Sequence, residues 1–339
     1  MSEPRRIAWV IYGALEQVSG GYIYDRLVVE QLREQGDSVT IVSLTAGASE
    51  LPALSRDDFD VVVGDELCFR ELLPLFQRSP SPHRVLLIHH LTAWEHPPGP
   101  ERDAVLALEK AVIDAADVCV ATSHVTADRL FDERLARRVA VAEPGEERFP
   151  RSATGGQEPS GSRLRLLFVG NILRRKRVLD LVQAFGRLPG LQCELALVGA
   201  ELEPDYAVEI RDAIATAGLT SRVRFLGSLP AAGVTEQLAI ADALVLPSAL
   251  EGYGMVLSEA LWASVPVIAA RVGAAEKLIG ETGAGLLFEP DDPGSLGGTL
   301  GAFTSDAALR RRLRLAAWNA AEILPRWRDT ALGLRATFK

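Results

Sequence analysis

Short apolar runs alternate with longer amphipathic segments along the whole chain. In the first half the runs fall at 7–11, 39–44, 61–63, 85–88, 118–121 and 139–142, and helical spacing fills 21–35, 101–115 and 123–131. Runs of that length suit buried strands, and helices between them return the chain across a parallel sheet. The stretch 143–162 breaks the rhythm with Pro144, Gly145, Pro150, Gly155, Gly156, Pro159 and Gly161, and reads as a linker. The alternation then resumes, with strands at 164–169, 193–198, 223–226, 243–246, 267–270 and 285–288. Helices are expected at 178–188, 206–217, 235–240, 255–264 and 293–303, and 307–335 is helical with a break near Pro325. No repeat period of 20–50 residues is present. The pattern predicts an α/β protein of two doubly wound Rossmann-like domains, 1–150 and 163–322. Residues 151–162 link them and a helix at 323–339 closes the chain. Ligands of open α/β sheets bind at the carboxyl edges of the strands, so the two domains are expected to face a central cleft.

Four places at those edges carry candidate chemistry. The stretch 244–260 is a buried strand, a loop with Glu251, Gly252, Tyr253 and Gly254, and a helix beginning at Met255 and Val256 with Glu259 on it. Glycines let backbone N–H groups face a ligand, and a helix start favours an anion. Two glutamates can accept hydrogen bonds from hydroxyls, so a sugar joined to a phosphate suits the stretch. Read alone, it is equally a strand–loop–helix packing unit. Gly20 and Gly21 open the first helix and allow close approach of a phosphate. The dinucleotide spacing G-x-G-x-x-G is absent there. After the strand at 164–169 come Asn171 and four successive cations, Arg174, Arg175, Lys176 and Arg177, ahead of a helix. Cations at a helix start oppose its dipole, which suits a bound diphosphate. Finally, His89 and His90 end the fourth strand, with Trp94 and Glu95 just beyond. Neighbouring side chains on an extended chain point to opposite faces, so one histidine facing the cleft as a donor fits better than a metal pair.

Composition narrows the partners. The chain has 339 residues, in keeping with two domains at ~150 residues each. The net charge of −9 is uneven: residues 1–150 hold 15 Lys and Arg against 25 Asp and Glu, whereas the remainder holds 21 against 20. Nucleic acid is not an expected partner, and membrane association is not expected either. Cys68, Cys119 and Cys193 are scattered and read as buried thiols, and the apolar run at 7–12 is too short for a signal or span. A cytoplasmic location is expected.

In this order, these elements resemble the retaining glycosyltransferases of family 4, which have the GT-B fold. The likeness covers nearly the whole chain and is strongest over 164–288. Glu251 and Glu259 match the family's E-x7-E motif, Lys176 its phosphate-binding lysine, Gly20 and Gly21 its glycine pair, and His89 the histidine after its fourth strand. Residues 265–269 and 283–288 resemble its C-terminal pattern. The region of Trp327 resembles a final helix that crosses back onto the N-terminal domain. The resemblance implies that Glu251 binds sugar hydroxyls, with the backbone of Gly252 to Met255 beside it. It implies that Glu259 binds the ribose, Lys176 the diphosphate and His89 the sugar. Asn171 stands where the family usually has arginine, with Arg174 or Arg175 to replace its charge. Arg177 stands where it has glycine. Lys277, next to Glu276, takes the place of a glutamate near the sugar.

The expected activity is therefore retaining transfer of a sugar from a nucleotide-sugar donor, UDP-sugars favoured, to an acceptor hydroxyl. His90, Trp94 and Glu95 are candidates for the acceptor, taken to be a small soluble molecule. No metal or other cofactor is expected, since no D-x-D pair stands at a plausible strand end. An epimerase or hydrolase, or a non-catalytic nucleotide-sugar binding protein, would use the same architecture.

Overall fold

The computed structural model describes residues 3–47, 54–78, 82–149, 151, 163–188 and 193–338. Of residues 151–162, predicted to link the two domains, Arg151 alone is among the described residues. Two compact units are present. Residues 1–145 and 325–339 form the first, and 146–324 the second.

The first unit is built on β1 (Arg6–Tyr12), β2 (Ser38–Leu44), β3 (Val61–Asp65), β4 (His83–Ile88), β5 (Val118–Ala121) and β6 (Val139–Val141). They form one parallel sheet in the order β2-β1-β3-β4-β5-β6. Chain order reverses at the β1–β3 boundary, where Ile7 pairs with Val39 on one side and Val61 on the other. Such a reversal sends successive loops to opposite faces and opens a crevice at the carboxyl edge. The strands are near-continuous apolar runs because helices cover both faces. Ile7 through Ile11 are fully buried.

Helix α1 (Gly20–Glu34) buries Tyr22, Ile23, Tyr24, Asp25, Val28, Val29 and Leu32, the stripe of an amphipathic helix with one acid inside it. α2 (Phe69–Phe76) is absent from the sequence expectation. It is eight residues long with Pro74 inside, too brief to show a period. α3 (Pro100–Ala115) and α4 (His124–Asp132) complete the first run, and Ser123 caps α4 through Thr126 N. The last helix of the chain, Trp327–Arg335, also belongs to this unit and packs on α1.

The second unit repeats the plan. Its strands are β7 (Leu164–Val169), β8 (Cys193–Val198), β9 (Val223–Gly227), β10 (Ala243–Leu246), β11 (Val267–Ala270) and β12 (Gly285–Phe288). All pairings are parallel, in the order β12-β11-β10-β7-β8-β9, and the reversal lies between β7 and β10. The helices are α5 (Val178–Gly186), α6 (Pro204–Thr216), α7 (Ala231–Ile240), α8 (Met255–Trp262), α9 (Ala275–Thr282), α10 (Pro293–Ser305) and α11 (Ala307–Ala320). α7 starts earlier than expected because Pro230 is its N-cap and the next residues continue the turn. α9 was not foreseen. Its first turn follows Ala274 directly and Gly283 ends it in the left-handed region. The expected helix over 307–335 is two helices, one on each side of Pro325.

Candidate active site

The reversal between β7 and β10 brings two loops of the second unit side by side. After β7 the chain passes Gly170 and Asn171 and makes a 3-10 turn over Arg174–Lys176. After β10 it runs through Pro247 to Gly254 and enters α8. The loops are tied together. Ala249 N donates to the Arg175 carbonyl at 2.7 Å, and Arg175 Nη1 donates to Leu250 O at 3.4 Å. Lys176 Nζ makes an ion pair with Glu251 Oε1, both side chains nearly buried. Burial would raise the Glu251 carboxyl, but Lys176 and then Arg175 outweigh it and hold the group below its ordinary value. The other two cations of the run turn away. Arg174 Nη1 donates to Glu209 at 3.0 Å and Arg177 pairs with Asp291. They border a separate cavity of about 450 Å³ with Tyr206, Pro247 and Phe288.

Gly254 has φ 87°, a left-handed conformation suited to glycine, and serves as the N-cap of α8 without a side-chain cap. The helix start at Met255 and Val256 therefore offers its N–H groups to a ligand rather than to a capping side chain. Tyr253 is buried, and its carbonyl accepts from Ala274 N. That bond draws the turn at Gly273 against the Glu251 backbone, where a Cβ on Gly273 would come within 2.9 Å of the Glu251 carbonyl oxygen. Glu276 is turned to Arg271, at 2.5 Å. Lys277 follows it in the first turn of α9.

Glu259, one turn into α8, accepts from Arg148 Nη1 at 2.6 Å. Burial raises its carboxyl and Arg148 offsets only part of that. The Arg148 guanidinium lies 4.7 Å from the Phe149 ring, and the Phe149 carbonyl accepts from Trp262 Nε1 at 2.6 Å. Arg148 thus sits on a fixed segment. Sequence reasoning missed it because it falls inside the Pro- and Gly-rich stretch taken as linker.

In the first unit His89 follows β4, and its ring lies against α1. A Cβ on Gly21 would come 3.2 Å from His89 Cδ2, so the glycine makes room for the imidazole. Nε2 is 3.5 Å from Oδ1 of the fully buried Asp25. The His89 N–H donates to Glu66 at 3.0 Å. Burial alone would lower the imidazole pKa. Glu66, Asp25 and Asp65 reverse that and push it up to about 10. Asp25 is raised, chiefly by burial. A carboxylate on the buried stripe of α1 was the signal in the sequence for this cluster.

Of the acceptor candidates, His90 Nε2 and Glu95 Oε1 pair at 2.7 Å. Trp94 Nε1 donates to Glu133 at 3.0 Å, and its ring lies under the Arg129 guanidinium, 4.0 Å away. Its polar edge is thus committed to the fold. Among the described residues, Asp25, Asp65 and His89 come nearest to a metal-ligand set, with ligand atoms within 4.8 Å of one another. Asp65 Oδ1 already accepts from Leu67 N.

Residues 156–319 match the family model described as Glycosyl transferases group 1. The D-inositol 3-phosphate glycosyltransferase of Salinispora tropica is 31% identical over 239 residues, which cover 63% of this chain and 49% of that protein. The chain spans about half the length of the curated relatives it matches. Among solved structures, sucrose-phosphate synthase from Thermosynechococcus elongatus gives a TM-score of 0.81 at 21% identity, covering 98% of both chains. HepE of Anabaena in complex with UDP and glucose gives 0.80 at 17% identity, over 98% of this chain and 99% of that one. At these identities the structural likeness speaks for the fold, the two-sheet α/β architecture of GT-B glycosyltransferases. Residues 156–319 are therefore similar to the Glycosyl transferases group 1 family, within a chain that has the GT-B fold.

Proposed function

We propose that this chain is a retaining glycosyltransferase that moves a sugar from a nucleotide-sugar donor, a UDP-sugar first, to a hydroxyl of a small soluble acceptor. The observation that carries the reading is the junction of Arg175, Lys176 and Glu251 at the β7–β10 reversal, beside the uncapped start of α8. A diphosphate requires cations and free N–H groups, and a sugar requires a carboxylate that stays ionised. This junction offers all three. The HepE structures, whose complexes hold UDP, UDP-glucose, or UDP and glucose, support a UDP-sugar donor.

In this reading the ammonium of Lys176 exchanges its pairing with Glu251 for one with the donor diphosphate, and the freed carboxylate accepts from sugar hydroxyls. The N–H groups of Met255 and Val256 meet the same diphosphate at the positive end of the α8 dipole. Arg148 holds Oε1 of Glu259 and leaves Oε2 to a ribose hydroxyl. As the glycosidic bond breaks, negative charge grows on the leaving diphosphate, and Lys176 and Arg175 stabilise it. The acceptor hydroxyl attacks the anomeric carbon from the face the diphosphate leaves. Its proton passes to the diphosphate, giving retention. Fixed cations take the place of a metal in this scheme.

The test is nucleoside-diphosphate release from UDP-, GDP- and TDP-sugars, with and without a panel of hydroxyl acceptors. Release only with acceptor, and a product of unchanged anomeric configuration by NMR, is the expected result. Release without acceptor would make the protein a hydrolase or epimerase, and binding without release a binding protein. Lys176→Ala should lower turnover by ~10²-fold with folding intact, the scale of one oriented electrostatic stabiliser.

A further inference from the structure

Among the described residues, the buried acids of the first unit, Asp25 apart, accept from backbone or arginine N–H groups. Asp37 accepts from Arg5 N and Arg335, Asp65 from Leu67 N, Glu66 from His89 N, Glu71 from Gly47 N, and Glu109 from Thr92 N and Ala93 N. These bonds account for the carboxylates as fixtures of the fold. Asp25 differs. It is fully buried on α1, and among the described residues neither of its oxygens has a hydrogen-bond partner. A buried carboxylate is normally paired or holds a metal ion, because left bare it is costly.

The groups that face Asp25 are in the same position. His89 Nε2 lies 3.5 Å from Asp25 Oδ1 and is itself buried without a hydrogen-bond partner among the described residues. A charge-assisted N–H···O bond would draw the two atoms to roughly 2.7–2.9 Å. Trp9 is fully buried on β1 against Asp25, and its Nε1–H is likewise without a partner among the described residues. Asp65, at the end of β3, completes the cluster, and ligand atoms of Asp25, Asp65 and His89 lie within 4.8 Å of one another. The cluster is held in place from outside. Gly21 leaves room for the imidazole, the Tyr24 ring meets it edge-on with centroids 5.2 Å apart, and Glu66 accepts from the His89 N–H. Asp65 Oδ1 is anchored by Leu67 N at 2.9 Å. All these residues belong to the first unit.

We propose that Asp25, Asp65 and His89 form a buried site for a divalent metal ion, zinc first, which ties α1 to the ends of β3 and β4. The donor set chooses the ion. An imidazole nitrogen with two carboxylate oxygens suits zinc, whereas calcium and magnesium take more oxygen ligands and no nitrogen. Zinc holds such ligands at about 2.0–2.2 Å, and tetrahedral angles then set neighbouring ligand atoms about 3.4 Å apart. His89 Nε2 and Asp25 Oδ1 already stand at 3.5 Å, too far for a good hydrogen bond and right for a shared ion. Two carboxylates and a neutral imidazole balance the charge of the ion. Asp25 gives it one oxygen and turns the other to Trp9 Nε1–H, so all the unpartnered groups are used at once. The bonds to Asp65 and to the His89 backbone are the outer support that metal ligands require. The site is structural, lies within one unit and is independent of the sugar-transfer reading.

The test uses the full chain, freed of any affinity tag and stripped with a chelator. Titrated with zinc chloride, it should bind the ion stoichiometrically by elemental analysis after dialysis. Its melting temperature should rise with zinc concentration, because the ion binds the folded state. Asp25→Asn and His89→Gln should each weaken zinc binding by more than the ~10–100-fold that losing an outer partner of a metal ligand costs. The sign of the stability change separates an ion from a simple pairing of side chains. In chelator, Asp25→Asn removes a bare buried charge and should melt no lower than the wild type. In zinc, the wild type should melt higher than the variant. These readouts need no turnover. A wild type whose melting ignores zinc would overturn the proposal. An equal zinc response in Asp25→Asn would place the ion elsewhere and overturn it too. So would an Asp25→Asn variant that melts below the wild type in chelator, since Asp25 would then stabilise the fold by pairing with protein groups alone.

Discussion

Arg177 shows how one residue can carry both backbone strain and a surface ion pair. It ends the Arg174–Lys176 turn and begins α5 with φ 50° and ψ 39°, in the left-handed region. A side chain there costs roughly 1–2 kcal/mol relative to an ordinary conformation, which is why glycine is common at such points. The ion pair with Asp291 lies at the surface and returns about 0–1 kcal/mol at most. Two substitutions separate these effects, since both lose the pair and only glycine relieves the backbone. Arg177→Ala should therefore be less stable than Arg177→Gly by about 1 kcal/mol in urea unfolding. Equal stabilities would show that the turn tolerates a Cβ at no cost. The position was visible in the sequence as an arginine where the resembling family has glycine. Its conformation was not, because a left-handed residue leaves no periodic trace unless it is glycine or asparagine.

Among the elements, the positions of the strands along the chain were the most legible. Parallel strands covered on both faces are continuous apolar runs, and 164–169, 193–198, 243–246, 267–270 and 285–288 stand in the sequence where the structure has them. The short helices α2 and α9 were not legible, since eight residues hold barely two turns. At the site, Lys176 and Glu251 could be singled out from residue type and place, but their pairing needed the β7–β10 contact that only the fold supplies. Arg148 and Asp25 escaped for opposite reasons, one in a stretch read as linker and one hidden in an apolar stripe. The last helix shows how a distant element is secured. Arg335 donates Nε and Nη2 to the two oxygens of Asp37 at 2.7 and 2.9 Å, and Asp37 Oδ1 also accepts from Arg5 N at 2.8 Å. Thr330 Oγ1 adds a bond to the Glu143 carbonyl at 2.7 Å. Removing one partner of a buried, bidentate pair leaves a carboxylate stranded and costs about 3 kcal/mol. Arg335→Ala should lower the stability of the first unit by that order, read as faster amide exchange along α1 and β1. Unchanged exchange there would mean that Trp327 and its neighbours hold the helix without the ion pair.

At the scale of the whole chain, two units of the same architecture carry different chemistry. Residues 1–150 hold the excess of acid, and the buried part of it is spent on loop N–H groups and on His89. The second unit places its cations on the turn after β7. A nucleoside diphosphate should therefore be bound by the second unit, and the effect of binding should be local to it. UDP at a hundred times its Kd stabilises the state that binds it by about 2.7 kcal/mol. In hydrogen exchange, UDP should slow the amides of 170–177 and 247–259, and leave α1 and the helix Trp327–Arg335 exchanging as before. Lys176→Ala should weaken that protection, because the diphosphate then loses its nearest cation. Glu259→Gln should weaken it for UDP and leave inorganic diphosphate unaffected, because only the nucleotide has a ribose to lose. Protection centred on 20–25 and 89–95 instead would place the nucleotide in the first unit and reverse the assignment of the two sheets.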